Sequence, residues 1–176
     1  VIISSGMSNF EELDQTVAFL KSKNTELSIL QCTTAYPTKP EQYGFAVMQE
    51  LKARYQVPVG FSDHSAKVST GVAAVALGAE ILEFHVVFHR SMFGPDAIAS
   101  LTLEETQALV EAVNDIHLAQ NSPVDKKSND DFKALISIFE KSLAINKNLP
   151  AGHTLTFADL ESKKPKGFGI SAADFQ

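Results

Sequence analysis

With Cys32 as its single cysteine, a chain of 176 residues can close no intramolecular disulfide, and a reducing, cytoplasmic compartment is its natural setting. Basic residues are in the minority, 15 Lys and Arg against 21 Asp and Glu, and form no cluster. The net charge of -6 therefore excludes the footprint of a nucleic-acid binder and is read as solubility. No apolar run approaches the 18 or so residues of a membrane span. The opening, Val1-Ile2-Ile3-Ser4-Ser5-Gly6, has neither the features of a signal peptide nor an initiator methionine. A chain that starts directly on a buried-looking strand is expected to be a fragment or processed piece.

Against these absences stands a 44% hydrophobic content, enough for a sizeable core and consistent with one domain plus an appendage. Apolar runs around Ile3, Ile29, Val59 and Leu82 alternate with helical patterns at intervals of 26, 30 and 23 residues, the pattern of successive βα units in a parallel α/β fold. A capping box Ser8-x-x-Glu11 precedes a stripe of Phe10, Leu13, Val17 and Leu20. The spacing predicts further helices over about 45–55 and 67–77, the latter stopped by Gly78, and a fourth after the box Thr102-x-x-Glu105. That fourth helix carries a stripe of Leu103, Leu109, Val110, Val113 and Ile116. From about 121 to 141 the composition is that of a polar linker leading into a short helix near Phe132 to Phe139. The stretch 142–176 reads as a strand at Leu143-Ala144-Ile145-Asn146, a turn at Pro150-Ala151-Gly152-His153 and a breaker-rich loop from Lys164.

Reactive residues recur just after each strand: Ser4-Ser5-Gly6, Thr33-Thr34-Ala35-Tyr36, Ser62-Asp63-His64 and Glu83-Phe84-His85. In parallel α/β folds that rim is where sites are built. His64 and His85 are the informative pair, because imidazole is a common metal ligand and two at the same end of neighbouring strands point into one cleft. Strand alternation puts Glu83 and His85 on one face, where buried ionisable groups need a partner. Small hydroxyls next to helix starts suit phosphate or carboxylate oxygens, although serine and threonine are also ordinary helix caps. Asp96, behind the Gly94-Pro95 turn, is a candidate acid, base or hydroxyl-binding group. His89 is assigned to a loop, and His117 and His153 to solvated or packed positions.

Together, Cys32-Thr33-x-x-Tyr36-Pro37, Gly60-Phe61-Ser62-Asp63-His64-Ser65, the Ala73 to Ala79 run, Glu83-x-His85 and Gly94-Pro95-Asp96-x-x-x-Ser100-Leu101 resemble the sialic acid synthase family. Among its branches the spore-coat polysaccharide synthases look most similar, through Glu83-x-His85-Val86-x-Phe88 and Met92-Phe93-Gly94-Pro95-Asp96. The resemblance implies a (β/α)8 barrel of which 1–120 is the C-terminal half, followed from 142 by the start of an antifreeze-like domain. It also implies the condensation of phosphoenolpyruvate with an open-chain N-acylated amino sugar in polysaccharide biosynthesis, giving a nonulosonic acid and phosphate. By position, His64 and His85 resemble the ligands of a divalent metal, manganese or magnesium, which acts as a Lewis acid. Ser4, Thr34 and Ser62 match positions serving phosphoenolpyruvate, and Tyr36 and Asp96 match sugar contacts. Glu83 and Asp96 are the catalytic candidates. Lys164 stands where an arginine reaches the sugar site of the neighbouring subunit of a homodimer, and lysine lacks that planar fork. Phe84 and His89 also depart from the family pattern.

The lysines that grip phosphoenolpyruvate, and a glutamate near the metal, belong in this family to the half of the barrel that precedes these strands. Two other readings stand beside the synthase: a different metal-dependent aldolase or phosphoenolpyruvate-using synthase on the same barrel, and a non-catalytic half-barrel module.

Overall fold

Short runs rich in Ile, Val, Leu and Phe form four parallel strands, β1 (Ile2–Ser4), β2 (Ser28–Cys32), β3 (Val59–Asp63) and β4 (Leu82–Phe84), in the order β1-β2-β3-β4. Each is followed by a helix: α1 (Phe10–Ser22), α2 (Phe45–Tyr55), α3 (Val68–Ala76) and α4 (Leu103–Asn121). The computed structural model describes residues 1–172 and 174, and these fall into two compact units, Val1–Ser122 and Pro123–Gln176.

In the first unit the strands curl as an α/β half-barrel. Registers Ile29↔Val59 and Phe61↔Leu82 align apolar residues on the face that the helices cover. There Ile29, Val59 and Phe61 pack with Leu13, Val17, Met48, Leu51 and Ala74, all nearly without solvent contact. Burying such side chains stabilises the fold by about 1.5–3 kcal/mol each relative to exposure. The opposite face bears Ile2, Leu30, Ser62 and Glu83; Leu30 and Ser62 are buried, while Ile2 and Glu83 are exposed and leave the face open at its edges. Ile2, Leu30 and Glu83 line a hollow of about 490 Å³ with Ser4 and Ile81. Gly60 makes the close approach of β3 and β4 possible: a Cβ there would collide with the Ile81 carbonyl and with the side chains of Leu30 and Ile81.

Three expectations need correction. α1 is capped by Asn9 with Glu12, whose side chain and backbone exchange hydrogen bonds of 2.9 and 3.0 Å, one residue beyond the predicted Ser8 box. β1 is not buried, since Ile2 is 57% exposed on the open face of an edge strand. On α4 the Thr102–Glu105 box forms as predicted, but Leu103 and Val110 face solvent and Leu109 alone of the stripe is fully buried. Along the chain, loops of several residues separate Ser4 and Ser62 from Phe10 and Val68, the first helical residues of α1 and α3.

The second unit contains α5 (Lys133–Phe139) and an antiparallel pair, β5 (Ser142–Ile145) with β6 (Leu160–Lys163). Asp159, 2% exposed, ties it together. It accepts hydrogen bonds from His153 Nε2 at 2.8 Å and from Thr156 N and Oγ1 at 2.9 and 2.8 Å, and Lys147 Nζ lies 2.6 Å away. These partners, His153 foremost, hold its carboxyl well below the usual range. His153 is exposed at the predicted turn and hydrogen-bonded there, its backbone N–H donating to Pro150 O at 3.2 Å.

Candidate active site

The parallel register decides which strand-end residues meet. Ser62 lies opposite Glu83 across β3 and β4, and the chain carries this alignment two residues further, to His64 and His85. The Ser62 hydroxyl donates to Glu83 Oε1 at 2.6 Å. The imidazoles of His64 and His85 have centroids 5.0 Å apart and planes at 69°. Tyr36, from the loop after β2, lies against both, at 4.4 Å from His64 and 5.8 Å from His85. Asp96 returns to the rim with Oδ2 3.9 Å from His85 Nδ1, a close approach beyond hydrogen-bond distance.

His64 is buried, and its Nδ1 lies 3.2 Å from the Thr33 carbonyl oxygen. A carbonyl only accepts, so Nδ1 carries the proton and the Nε2 lone pair is left for a ligand, the arrangement that orients metal-binding histidines. Its neighbour Asp63 points to the helix side, where burial pushes its carboxyl above the usual carboxylate range and the Ser65 N–H, donating at 2.8 Å, opposes that rise. Two imidazoles that ligate one cation at right angles through bonds of about 2.0–2.1 Å place their ring centroids roughly 5 Å apart, so the observed pair fits a shared ion. No cluster of three or more His, Cys, Asp or Glu among the described residues is placed to enclose an ion. Among the described residues, His64 and His85 thus stand as a pair of imidazoles with no third such side chain grouped with them.

The other candidates are distributed as follows. Ser4 and Thr34 are exposed at the same strand ends, with Thr34 Oγ1 near Gly6. Glu83 is exposed rather than buried, contrary to expectation, because the inner face of the sheet is open; its counterpart is a hydroxyl and not a charge. His89 is a loop residue, its Nδ1 2.6 Å from Ser91 Oγ, and His117 is exposed on α4. Lys164 belongs to the second unit, where its ammonium stands 4.5 Å from the centroid of Phe139. Sequence reasoning missed the buried network in which Ser5 Oγ donates to Gln31 Oε1 at 3.1 Å and accepts from Cys32 N at 3.0 Å. It also missed the side-chain contacts of Arg90. Neither leaves a local sequence signal, since each joins residues on different βα units.

Comparison with known proteins places this geometry in context. The N,N'-diacetyllegionaminic acid synthase of Campylobacter jejuni is 34% identical over 179 residues, covering 100% of this chain and 53% of that protein. The structure of N-acetylneuraminic acid (sialic acid) synthetase from Leptospira borgpetersenii superposes with a TM-score of 0.68 at 29% identity, over 77% of this chain and 47% of that one. A spore coat polysaccharide biosynthesis protein E from Chromobacterium violaceum superposes with a TM-score of 0.65 over 100% of this chain and 53% of that one; at 22% identity this likeness concerns the fold alone. The chain spans about half the length of the relatives it matches. Residues 1–125 match the NeuB family over both histidines, the Ser62–Glu83 pair and the Asp96 loop, and the chain belongs to that family.

Proposed function

We propose that this chain supplies the second half of a barrel that condenses phosphoenolpyruvate with an N-acylated amino sugar of the N-acetylmannosamine type. The products are a nonulosonic acid and phosphate, made for polysaccharide biosynthesis. The observation that carries the reading is the convergence of His64 and His85 at the C-terminal ends of β3 and β4, with Tyr36, Asp96 and the Ser62–Glu83 pair beside them. In the reaction the enol carbon of phosphoenolpyruvate bonds to the sugar aldehyde carbon. Water then adds at the neighbouring carbon, and phosphate departs with cleavage of its C–O bond.

His64 and His85 hold a divalent cation, Mn2+ or Mg2+, whose chemistry when bound is to polarise an aldehyde oxygen. The Thr33 carbonyl keeps His64 in the tautomer that presents Nε2. Ser4, Thr34 and Ser62 receive the carboxylate and phosphate oxygens of phosphoenolpyruvate. Glu83, one carboxylate oxygen of which accepts from Ser62, lines the hollow and there accepts or returns a substrate proton. Tyr36 and Asp96 bind the sugar hydroxyls. Residues 142–176 are the start of an antifreeze-like domain, and through Lys164 that domain serves the neighbouring subunit of a homodimer. The phosphoenolpyruvate-binding lysines come from the preceding half of the barrel.

The test is to express residues 1–176 behind a complete first half-barrel and supply Mn2+, phosphoenolpyruvate and a panel of N-acyl amino sugars. Sugar-dependent phosphate release that disappears in His85→Ala supports the proposal. Release that depends on a different aldehyde assigns the site to another aldolase, and no release with any acceptor leaves a binding module.

A further inference from the structure

The loop from Val86 to Ser100 carries Asp96 to the rim and is mostly exposed. Its base is closed by backbone, where Leu101 N–H donates to His85 O and Val87 N–H to Leu101 O, each at 2.9 Å. Further out, one side chain reaches across. Arg90 Nη2 donates to Ala66 O at 3.0 Å and to Glu105 Oε2 at 2.6 Å, and Arg90 Nε donates to Ser100 O at 3.3 Å.

Each of these acceptors belongs to a different part of the site's support. Ala66 lies two residues beyond His64 in the loop after β3, with φ at 57°, a conformation unfavourable for a residue with a Cβ. Ser100 closes the Asp96 loop, its hydroxyl donating to Asp96 O at 2.7 Å. The same Glu105 oxygen accepts from Thr102 N at 2.9 Å and so starts α4. A single planar guanidinium therefore joins the loop bearing His64, the loop bearing Asp96 and the first turn of α4.

We propose that Arg90 is a positioning residue: it ties the loop after β4 to the loop after β3 and thereby keeps Asp96 against His85 in the geometry that lets the two histidines share a cation. This rests on the reading of His64 and His85 as metal ligands. Arg90 touches neither histidine. Its effect runs through Asp96, and that separates positioning from a general contribution to folding.

Calorimetric titration of Mn2+ into residues 1–176 expressed behind a complete first half-barrel tests it with wild type, Arg90→Gln, Arg90→Lys, Asp96→Asn and the double variant Arg90→Gln/Asp96→Asn. Arg90→Gln should weaken Mn2+ binding about tenfold, the lower end of the range for groups that orient ligands. Arg90→Lys should not restore it, since one compact ammonium cannot span acceptors that the planar guanidinium reaches from two separate nitrogens, Nε and Nη2. In the Asp96→Asn background, Arg90→Gln should add less than about twofold, as coupled residues do. Glu105→Gln keeps the helix cap yet loses the charge partner of Arg90, and should weaken binding in the same direction; hydrogen exchange across α4 verifies that each variant is folded. Unchanged affinity in Arg90→Gln, or the same loss with and without Asp96, overturns the proposal. If His64→Ala binds Mn2+ as wild type does, the metal reading itself fails, an outcome distinct from failure of Arg90 alone.

Discussion

His64 and His85, 21 residues apart in the chain, meet with their ring centroids 5.0 Å apart because β3 and β4 pair in parallel with Ser62 opposite Glu83. The pairing that makes the sheet therefore also assembles the candidate metal ligands. Tyr36 lies over both rings from a third loop and completes an aromatic wall at the rim.

A first prediction concerns this pair directly. His64→Ala and His85→Ala should each weaken Mn2+ binding by more than about 100-fold, beyond what loss of an orienting partner costs. Titration followed by the electron paramagnetic resonance of free Mn2+ measures this. Retention of wild-type affinity by either variant would remove that histidine from the site.

The isolated 176-residue chain should release no phosphate above background from phosphoenolpyruvate with Mn2+ and any N-acyl amino sugar. Its inner face, with Ile2 and Glu83, is open to solvent, and an exposed apolar face between two sheet edges favours pairing with further chain or aggregation. Sugar-dependent release by this chain alone, abolished by His85→Ala, would show that the chemistry needs fewer residues than proposed.

Gly60→Ala should destabilise the first unit by about 1–3 kcal/mol, the usual penalty for overpacking. The added methyl group meets the Ile81 backbone and the Leu30 side chain, and backbone in a paired strand has little freedom to withdraw. Urea unfolding gives the magnitude; a variant as stable as wild type would mean that β4 stands further from β3 than described.

Acid should act through Asp14. Arg54 donates to both of its carboxylate oxygens, at 2.8 and 2.6 Å, and Tyr55 adds a hydrogen bond at 2.9 Å; the Arg54 bonds chiefly lower its pKa from 3.8 to about 2. A carboxyl group whose pKa is lower in the folded state contributes its stabilisation fully above the unfolded value. That contribution is lost as pH falls through the folded one. The gap in unfolding midpoint between wild type and Asp14→Asn should therefore be full above pH 4 to 5 and close as pH falls toward 2. A gap that stays constant across this window would assign the effect to packing of Arg54 on Phe10, whose centroid is 4.9 Å away.

Much of the local structure is legible in the sequence because it follows from short-range physics. The periodicity of Met48, Leu51 and Tyr55 defines α2, the Thr102 box starts α4, and Gly78, at φ 97°, follows the end of α3. The strand-end placement of Ser62, His64 and His85 is equally visible as apolar runs giving way to polar residues. Where two local solutions compete, the sequence is ambiguous: Ser8 with Glu11 and Asn9 with Glu12 are both capping boxes on paper, and the chain adopts the second. Which residues touch is decided elsewhere. The Ser62–Glu83 bond, the Thr33 carbonyl on His64, the three-way contact of Arg90 and the open inner face that leaves Glu83 in solvent all depend on strand register and on loops converging from separate βα units. Sequence periodicity specifies the face on which a side chain lies; only the tertiary pairing of one strand with the next specifies what stands across from it.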